Sequence, residues 1–411
     1  MKTLIIAPFS PYPLVFGGAI RLYHLIKMFA ATSEVTLVAY RIWNVDDASV
    51  RHLESICKKV VMVDEAPLET RPKWQLQLRG MVGPKTFQYH SFYSREFQQA
   101  LDRVTAQERF DTIVVEQSQM AYFQHRQPGA LHILDLQNIE YELLERRVQV
   151  QRNPLKRAAL ALEAIKFKRA ELALCRQFDM VFTPSDRERD HLRRLLAPIP
   201  VETLANSIDP DFFALRPLQP LANQITFIGT THVDANRDGL CYFMDEMFPL
   251  IEAKVPDVHF SIVGGKPPAD VRAFGQRPNV TVTGFVDDVR PYMAAAKALV
   301  VPLRSGGGTR LKIMEGLSFG VPTVSTSVGA EGISVVDGEH ILLGDTPEAF
   351  AAHIVRVLND EALQQRLRIQ GRQLVEETYS WQAVGRTLQR YLQAAPGRPS
   401  AGWQPSQLRS Q

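Results

Sequence analysis

The chain has 411 residues, which at roughly 150 residues per domain predicts two or three domains with ample core. Lysine plus arginine number 47 against 44 aspartate plus glutamate, a net charge of +3, with 45% apolar and 22% charged residues. That balance excludes disorder, collagen-like repeats and a disulfide scaffold, and leaves no positive excess for nucleic acid. The three scattered cysteines, Cys57, Cys175 and Cys241, have no zinc spacing and fit a reducing compartment. Residues 1–13 are broken by prolines and too short for a signal segment, and no run reaches the ~20 apolar residues of a membrane span. The expectation is a soluble, cytoplasmic protein.

In chain order, residues 3–8 read as a buried strand and 9–18 as a Pro/Gly loop. Ile20, Leu22, Leu25, Ile26 and Phe29 then recur at helical spacing. Further short strands fall at 35–39, 60–63, 112–115 and 132–136. Residues 141–196 are charged and helical in pattern, broken near Pro154. Nine lysines and arginines lie between 141 and 180. The plain reading is a solvated helix face, offset by Glu140, Glu142, Glu145, Glu163, Glu171 and Asp179. The other is docking on anionic lipid at the inner face of a membrane, using the apolar Leu160, Leu162, Ile165 and Phe167. A strand at 180–183 and a helix capped by Ser185 follow.

Residues 198–221 are rich in prolines and turns and read as a linker. A second series begins with a strand at 225–228 that ends in Gly229. A helix at 240–254, a strand at 259–263 closed by Gly264-Gly265, and a strand at 280–283 come next. A helix at 289–296, with Asp287-Asp288 placed to cap it, leads to a strand at 298–302. After the glycine turn 306–308 come a helix at 311–319 and a strand at 323–326. Helices at 350–358, 361–378 and 381–392 end the pattern; the last is expected to pack back on the first domain. Residues 395–411 are Pro/Ser/Gln-rich and expected to be disordered. The fold class is α/β: two Rossmann-like, doubly wound parallel sheets, 1–197 and 222–380, facing across a cleft.

The sharpest stretch is 300–333, VVPLRSGGGTRLKIMEGLSFGVPTVSTSVGAEGI. Gly306, Gly307 and Gly308 let backbone approach a ligand closely. Thr309, Arg310 and Leu311 bring in a helix N-terminus that favours an anion. Lys312 adds a cation, and Glu315, one turn on, offers a carboxylate to ribose hydroxyls. The combination suits a nucleotide diphosphate with its sugar. The plain alternative is a glycine cap beside a surface Lys312–Glu315 pair.

This segment resembles the nucleotide-sugar signature of GT-B glycosyltransferases of the family-4-like group (glycosyl transferases group 1), in a GGGTRLK form similar to that of bacterial members. In that family the second carboxylate of a Glu-x7-Glu pair binds the ribose, which falls on Glu315. The first falls on Gly307, so a contact to the donor sugar's hydroxyls is missing. The resemblance covers about residues 1–392. It implies that Gly17-Gly18 bring amides to donor phosphate and acceptor, with Arg21 on the first helical turn facing the cleft. It implies that Thr230, in Gly229-Thr230-Thr231, meets phosphate by hydroxyl and backbone. This chain has Asn236-Arg237 where the family has a Lys-Gly pair. The resemblance further implies that Phe285 and Val286 read the base, and that Glu331-Gly332 lie near the cleft.

Asp135 to Asn138 (DLQN) resemble an Asp-x-x-Asn-Glu stretch, with Asn138 as a helix cap in the plain reading. Residues 206–213 (NSIDPDFF) resemble an interdomain element. Their Asp209-Pro210-Asp211 is a nominal metal-binding DxD, read here as a chance pattern. The family's acid or histidine after the fourth strand falls near Glu116, with His24 and His125 as alternatives.

The resemblance implies a retaining transferase that moves a sugar from a nucleotide diphosphate-sugar to a sugar or lipid-linked hydroxyl, in cell-surface polysaccharide or glycolipid synthesis. It implies no metal or other cofactor and no nucleic acid partner. The leaving diphosphate would be stabilised by Arg310 and Lys312. A non-hydrolysing sugar-nucleotide epimerase and a non-catalytic nucleotide-sugar binder remain as alternatives. A nicotinamide dehydrogenase is excluded, because no GxGxxG follows the first strand.

Overall fold

The computed structural model describes residues 1–42, 45–64, 66–151, 153–214, 221, 223–306 and 309–395. Two compact units divide the chain: Met1–Ala205 together with the described residues from Gly385 on, and Asn206–Val384.

The first unit is built on seven parallel strands: β1 (Lys2–Ala7), β2 (Glu34–Tyr40), β3 (Lys59–Val63), β4 (Thr112–Glu116), β5 (Leu131–Asp135), β6 (Met180–Thr183) and β7 (Val201–Thr203). Their order is β3-β2-β1-β4-β5-β6-β7. Such a sheet is covered on both faces, so its central strands are apolar runs with no alternation. In β4, Thr-Ile-Val-Val-Glu is buried from end to end, its terminal glutamate included. Val201–Thr203, which the proline content reads as linker, is an edge strand: Val181, Phe182 and Thr183 pair with its three residues.

Helix Gly17–Ala30 follows β1. The crossover from β3 to β4 carries three short helices, Pro67–Thr70, Lys73–Val82 and Phe87–Phe92, before the amphipathic Arg95–Gln107. After β5 come Glu140–Val150 and the long helix Pro154–Cys175. The carboxylate of Glu171 reaches out of the long helix to accept the N–H groups of Tyr141 (3.0 Å) and Glu140 (3.4 Å) and the Ser118 hydroxyl (2.6 Å). It thereby satisfies the open N-terminus of Glu140–Val150. Ile139 is the N-cap residue there and supplies no side chain, so Asn138 does not have the capping role read from the sequence. Ser185 does cap Asp186–Leu196, in a reciprocal pair with Glu188. From Gly385 on, helix Trp381–Ala394 packs in the first unit, with Tyr391 against Phe182 and Gln389 bonded to Thr32.

The second unit has six parallel strands: β8 (Gln224–Ile228), β9 (His259–Val263), β10 (Val280–Gly284), β11 (Ala298–Val301), β12 (Thr323–Ser325) and β13 (Leu342–Leu343), ordered β10-β9-β8-β11-β12-β13. Phe243, Phe248, Phe260 and Phe350 fill one side of the sheet. The helix after β8 starts at Asp234, earlier than its apolar pattern suggests, and runs through a π-turn to Glu252. In the 206–213 element, Asp209 accepts the N–H groups of Asp211 (2.9 Å) and Phe212 (3.3 Å), so that carboxylate closes its own turn. Asp288 receives the Arg290 N–H at the start of Arg290–Ala295.

In both sheets the strand order reverses beside the first strand, β1 next to β4 and β8 next to β11. Loops leaving the carboxyl ends on either side of that point diverge and open a crevice. In the second unit the loops after β8 and β9 touch: a Cβ on Gly264 would stand 1.8 Å from the Gly229 carbonyl oxygen. One on Gly265 would meet only Phe285, at ordinary contact distance of 3.7 Å. Gly264→Ala is therefore expected to cost about 1–3 kcal/mol and to lower the unfolding midpoint, whereas Gly265→Ala leaves it close to the parent. Thermal melts of both variants check this.

Candidate functional site

The crevice of the second unit gathers residues from three loops and one helix. Gly229 leaves β8 with φ +155, and Gly284 ends β10 with φ +73. Lys312 lies on the first turn of helix Leu311–Phe319. Its ammonium passes directly over Gly229, where a Cβ would be 2.5 Å away. The same ammonium donates to Asn236 Oδ1 at 2.9 Å and stands 4.2 Å from the centre of the Phe227 ring. Asn236 in turn donates to the Thr230 carbonyl at 2.9 Å. The Lys312 head is thus held by a neutral oxygen and an aromatic face, a cation–π arrangement, with no carboxylate bonded to it among the described residues.

Burial dominates the titration here. It pushes Lys312 down to about 7, with Arg310 adding to the effect and Glu315 opposing it. Glu315 is pushed up to about 7 by burial, against the pull of Lys312. Both side chains remain half-buried and so open in part to solvent. Glu315 makes no hydrogen bond or ion pair with any described residue. The two groups are one helical turn apart, and neither has a neighbour that fully compensates its charge.

Around them, Arg310 is buried at the N-cap position, its guanidinium 2.8 Å from where a Cβ of Gly306 would lie. The Thr309 hydroxyl is buried and has no hydrogen-bond partner among the described residues. Leu311 opens the helix and Thr230 is exposed. Phe285 presents a ring that is 77% exposed, beside Gly265, and Val286 is half-buried behind it. Gly307 and Gly308 lie outside the described residues. Arg237 turns away to Asp270 at 2.6 Å. Among the described residues no group of three or more His, Cys, Asp or Glu is placed to hold a metal ion.

The crevice of the first unit is organised differently. Arg21, expected on the first helical turn to face the cleft, is buried and makes a two-point ion pair with Asp135 at 2.9 and 2.5 Å. Its third nitrogen donates to the Leu204 carbonyl at 2.8 Å. Asp135 ends β5 directly beside Glu116, which ends β4. Both carboxyl groups are fully buried. Burial and the Asp135 charge drive Glu116 well above the usual carboxylate range, although Arg21 opposes the shift. One Glu116 oxygen accepts from Gln137 Nε2 at 2.6 Å. The other has no hydrogen-bond partner among the described residues. Gln137 also donates to the Gly18 carbonyl at 3.2 Å, and a Cβ on Gly18 would overlap the Gln137 amide. Gly17, by contrast, is the first helical residue.

Glu116, read from the sequence as a candidate base, is thus fully buried between Asp135 and Gln137. It positions the Gly17-Gly18 loop through Gln137. His24 is buried in its helix. His125 is stacked on Phe178, and burial lowers it to about 4. Gln137 in the first crevice and Asn236 in the second, each bridging groups of its own unit, carry no spacing signal that marks them as bridges.

Residues 222–360 match the family model of glycosyl transferases group 1. An uncharacterized 44.6 kDa protein in the cps region of Klebsiella pneumoniae is 20% identical over 400 residues, 93% of this chain and 97% of its own. Sucrose-phosphate synthase of Thermosynechococcus elongatus superposes with a TM-score of 0.68 at 17% identity, covering 95% of this chain and 98% of that one. Anabaena HepE, crystallised with UDP, gives 0.61 at 13% identity over 95% of this chain and 99% of its own. The fold is GT-B, and residues 222–360 carry the match to the group 1 glycosyltransferases. The chain is a sugar-transferring enzyme.

If Glu116 is protonated, Glu116→Gln keeps its hydrogen bonds and is expected to leave stability and turnover near the parent. Loss of about 10²–10⁴-fold in turnover would restore it as a general base. Asp135→Asn strands the buried Arg21 charge and is expected to cost about 3–5 kcal/mol. Thermal melts and steady-state rates separate the two.

Proposed function

We propose that the chain binds a nucleotide diphosphate-sugar in the crevice at β8 and β11 and transfers the sugar, with retention, to an acceptor hydroxyl. The observation that carries this is Lys312, held over Gly229 without a carboxylate partner among the described residues, with Glu315 one turn away. A diphosphate laid on Gly229 and Thr230 supplies the missing negative charge. The ribose hydroxyls reach Glu315, which accepts them, and the base lies against the exposed Phe285. HepE, of the same fold, was crystallised with UDP, which supports a nucleoside diphosphate donor here.

In the reaction the bond from the anomeric carbon to the β-phosphate oxygen breaks. Charge building on that oxygen is stabilised by Lys312, Arg310 and the N-terminus of Leu311–Phe319. The acceptor oxygen bonds the anomeric carbon from the same face, and its proton passes to the departing phosphate oxygen. No protein nucleophile and no metal enter this scheme. Asp135 is ion-paired with Arg21 and Glu116 is fully buried, which argues against the epimerase alternative, since that needs an acid–base pair within reach of the sugar. We place the reaction in cell-surface polysaccharide or glycolipid synthesis, where acceptors are carried on lipid at the inner face of a membrane; no helix among the described residues is long and apolar enough to cross one.

Glu315→Ala is expected to weaken the donor about 10–100-fold, the worth of hydrogen bonds to a charged group. Arg310→Ala and Lys312→Ala are expected to slow turnover about 10²–10³-fold. A thermal-shift panel of nucleoside diphosphates and their sugars identifies the donor, and the shift persists in EDTA. No shift with any of them overturns the site.

The donor's bound diphosphate raises the Lys312 pKa from about 7, so above that pH binding takes up a proton. Affinity for an intact nucleotide sugar, whose phosphates do not titrate here, is therefore expected to fall as pH rises from about 7 to about 9. Below neutrality, protonation of Glu315 weakens the ribose contact. Lys312→Met is expected to remove the alkaline limb; calorimetry across pH reads it directly.

A further inference from the structure

Two helices of the first unit carry their apolar residues toward solvent. On Lys73–Val82, Leu76 and Gly80 are the buried positions. Trp74, Leu78 and Met81 lie on the opposite side in a stripe about 60° wide, all exposed, with Val82 beside them at 82% exposure. On Pro154–Cys175, Phe167 and Leu174 face the core, while Leu155, Leu162 and Ile165 stand exposed. Of the apolar positions noted in the basic segment, then, Phe167 is core, whereas Leu162 and Ile165 belong to the surface.

The two helices are pinned together. Lys166 donates to the carbonyls of Gly80, Gly83 (2.8 Å) and Lys85 (3.4 Å) at the end of Lys73–Val82, and Glu163 accepts the Phe87 N–H at 2.6 Å. The long helix is fixed near the carboxyl ends of β4 and β5 by Glu171, through Ser118 and Tyr141. Its N-terminal turns therefore project beyond the sheet edge that carries Gly17-Gly18, Glu116 and Asp135.

The charge along these two segments is mostly positive. Residues 71–85 contain Arg71, Lys73, Arg79 and Lys85 and no acid. Residues 154–169 contain five cations against one acid, Glu163, which is bonded to the Phe87 amide; Lys166 is held by backbone carbonyls and Lys168 pairs with Glu145 at 3.1 Å, while Lys156, Arg157 and Arg169 are exposed. A second copy of the chain, related by a two-fold axis, would set this cationic face against itself. The segment 396–411 has two arginines and no acid, so it lacks the opposite charge as well.

We propose that the solvent-facing sides of Lys73–Val82 and Pro154–Cys175 form one surface that docks on an anionic lipid bilayer, with Trp74 and its neighbours in the headgroup layer and the lysines and arginines on lipid phosphates. The surface adjoins the acceptor-side crevice, so docking brings a lipid-linked hydroxyl to the sheet edge. That consequence rests on the proposed transfer; docking itself does not.

The test is flotation of the full chain with phosphatidylcholine vesicles holding about a quarter phosphatidylglycerol, and with phosphatidylcholine alone. Co-flotation with the anionic vesicles only, weakened by salt, is expected. Trp74→Glu with Leu78→Glu, and separately Lys73→Glu with Arg79→Glu, are expected to weaken it about tenfold or more. All four changes fall on exposed positions, and an unchanged thermal shift with the nucleotide donor certifies folding and reports the donor site separately. Failure to float with anionic vesicles overturns the proposal, and so does flotation that these variants leave unchanged. Light scattering that shows a dimer broken by Leu78→Glu also overturns it, in favour of an interface between copies. Flotation that fails in the full chain but appears after truncation at Ala395 assigns the face to the C-terminal segment instead.

Discussion

An ammonium group confined at a backbone crossing governs the second unit. Lys312 occupies the space that any side chain at position 229 would fill, and Gly229 in turn presses its carbonyl against Gly264. Two glycines at the ends of adjacent strands allow the loops to close until only a cation and a polar ligand fit between them. Phe227 below and Asn236 beside Lys312 keep the ammonium from retreating into water or onto a carboxylate. The lowered pKa follows from that confinement: the charge has lost solvent and has gained only a ring and an amide oxygen. Helix Leu311–Phe319 then fixes Glu315 relative to the ammonium by its pitch alone.

The first unit uses the same strand order to opposite effect. Its switch point also holds a cation near a glycine-initiated helix, but Arg21 is neutralised there by Asp135 with planar two-point geometry. Glu116 and Gln137 extend that pair to the Gly18 carbonyl, so the loop after β1 is set by a buried chain of hydrogen bonds. Such a chain tolerates little change, because each member that is removed strands a partner without water to replace it. Its contribution is rigidity of the glycine loop and of the backbone at Leu204, where the chain is about to leave the unit.

The alternation of apolar runs with helical segments made both sheets legible in the sequence, because a parallel strand buried on two faces has to be an unbroken apolar run. The glycines that end β8, β9 and β10 were legible for a similar reason, as close backbone approach excludes other residues. Glu315 and Lys312 followed from helical spacing. What spacing does not carry is the pairing of side chains more than a hundred residues apart, and Arg21 with Asp135 is the clearest case. Glu116 looks like an available acid until the strand register sets it, fully buried, beside Asp135. The edge strands Val201–Thr203 and Leu342–Leu343 are too short to show a period, and prolines around the first disguise it as linker. Trp74, Leu78 and Met81 have regular helical spacing, yet only the packing shows that this face turns outward.

Two units of like topology thus divide the electrostatic work. Where a crevice contains equal and opposite buried charges in bidentate contact, a charged ligand gains little by entering, since it must displace a better-placed partner. Where the charges are half-buried, one turn apart and uncompensated, an anion that also offers hydroxyls gains at both ends and relieves both shifted pKa values. The second crevice meets the second description and the first does not. That contrast is what supports the proposed placement of the donor's charged portion at Lys312 and Glu315. The contribution of the first unit is shape: a glycine loop held still by Gln137, next to a helical surface whose positive charge lies outside the crevice.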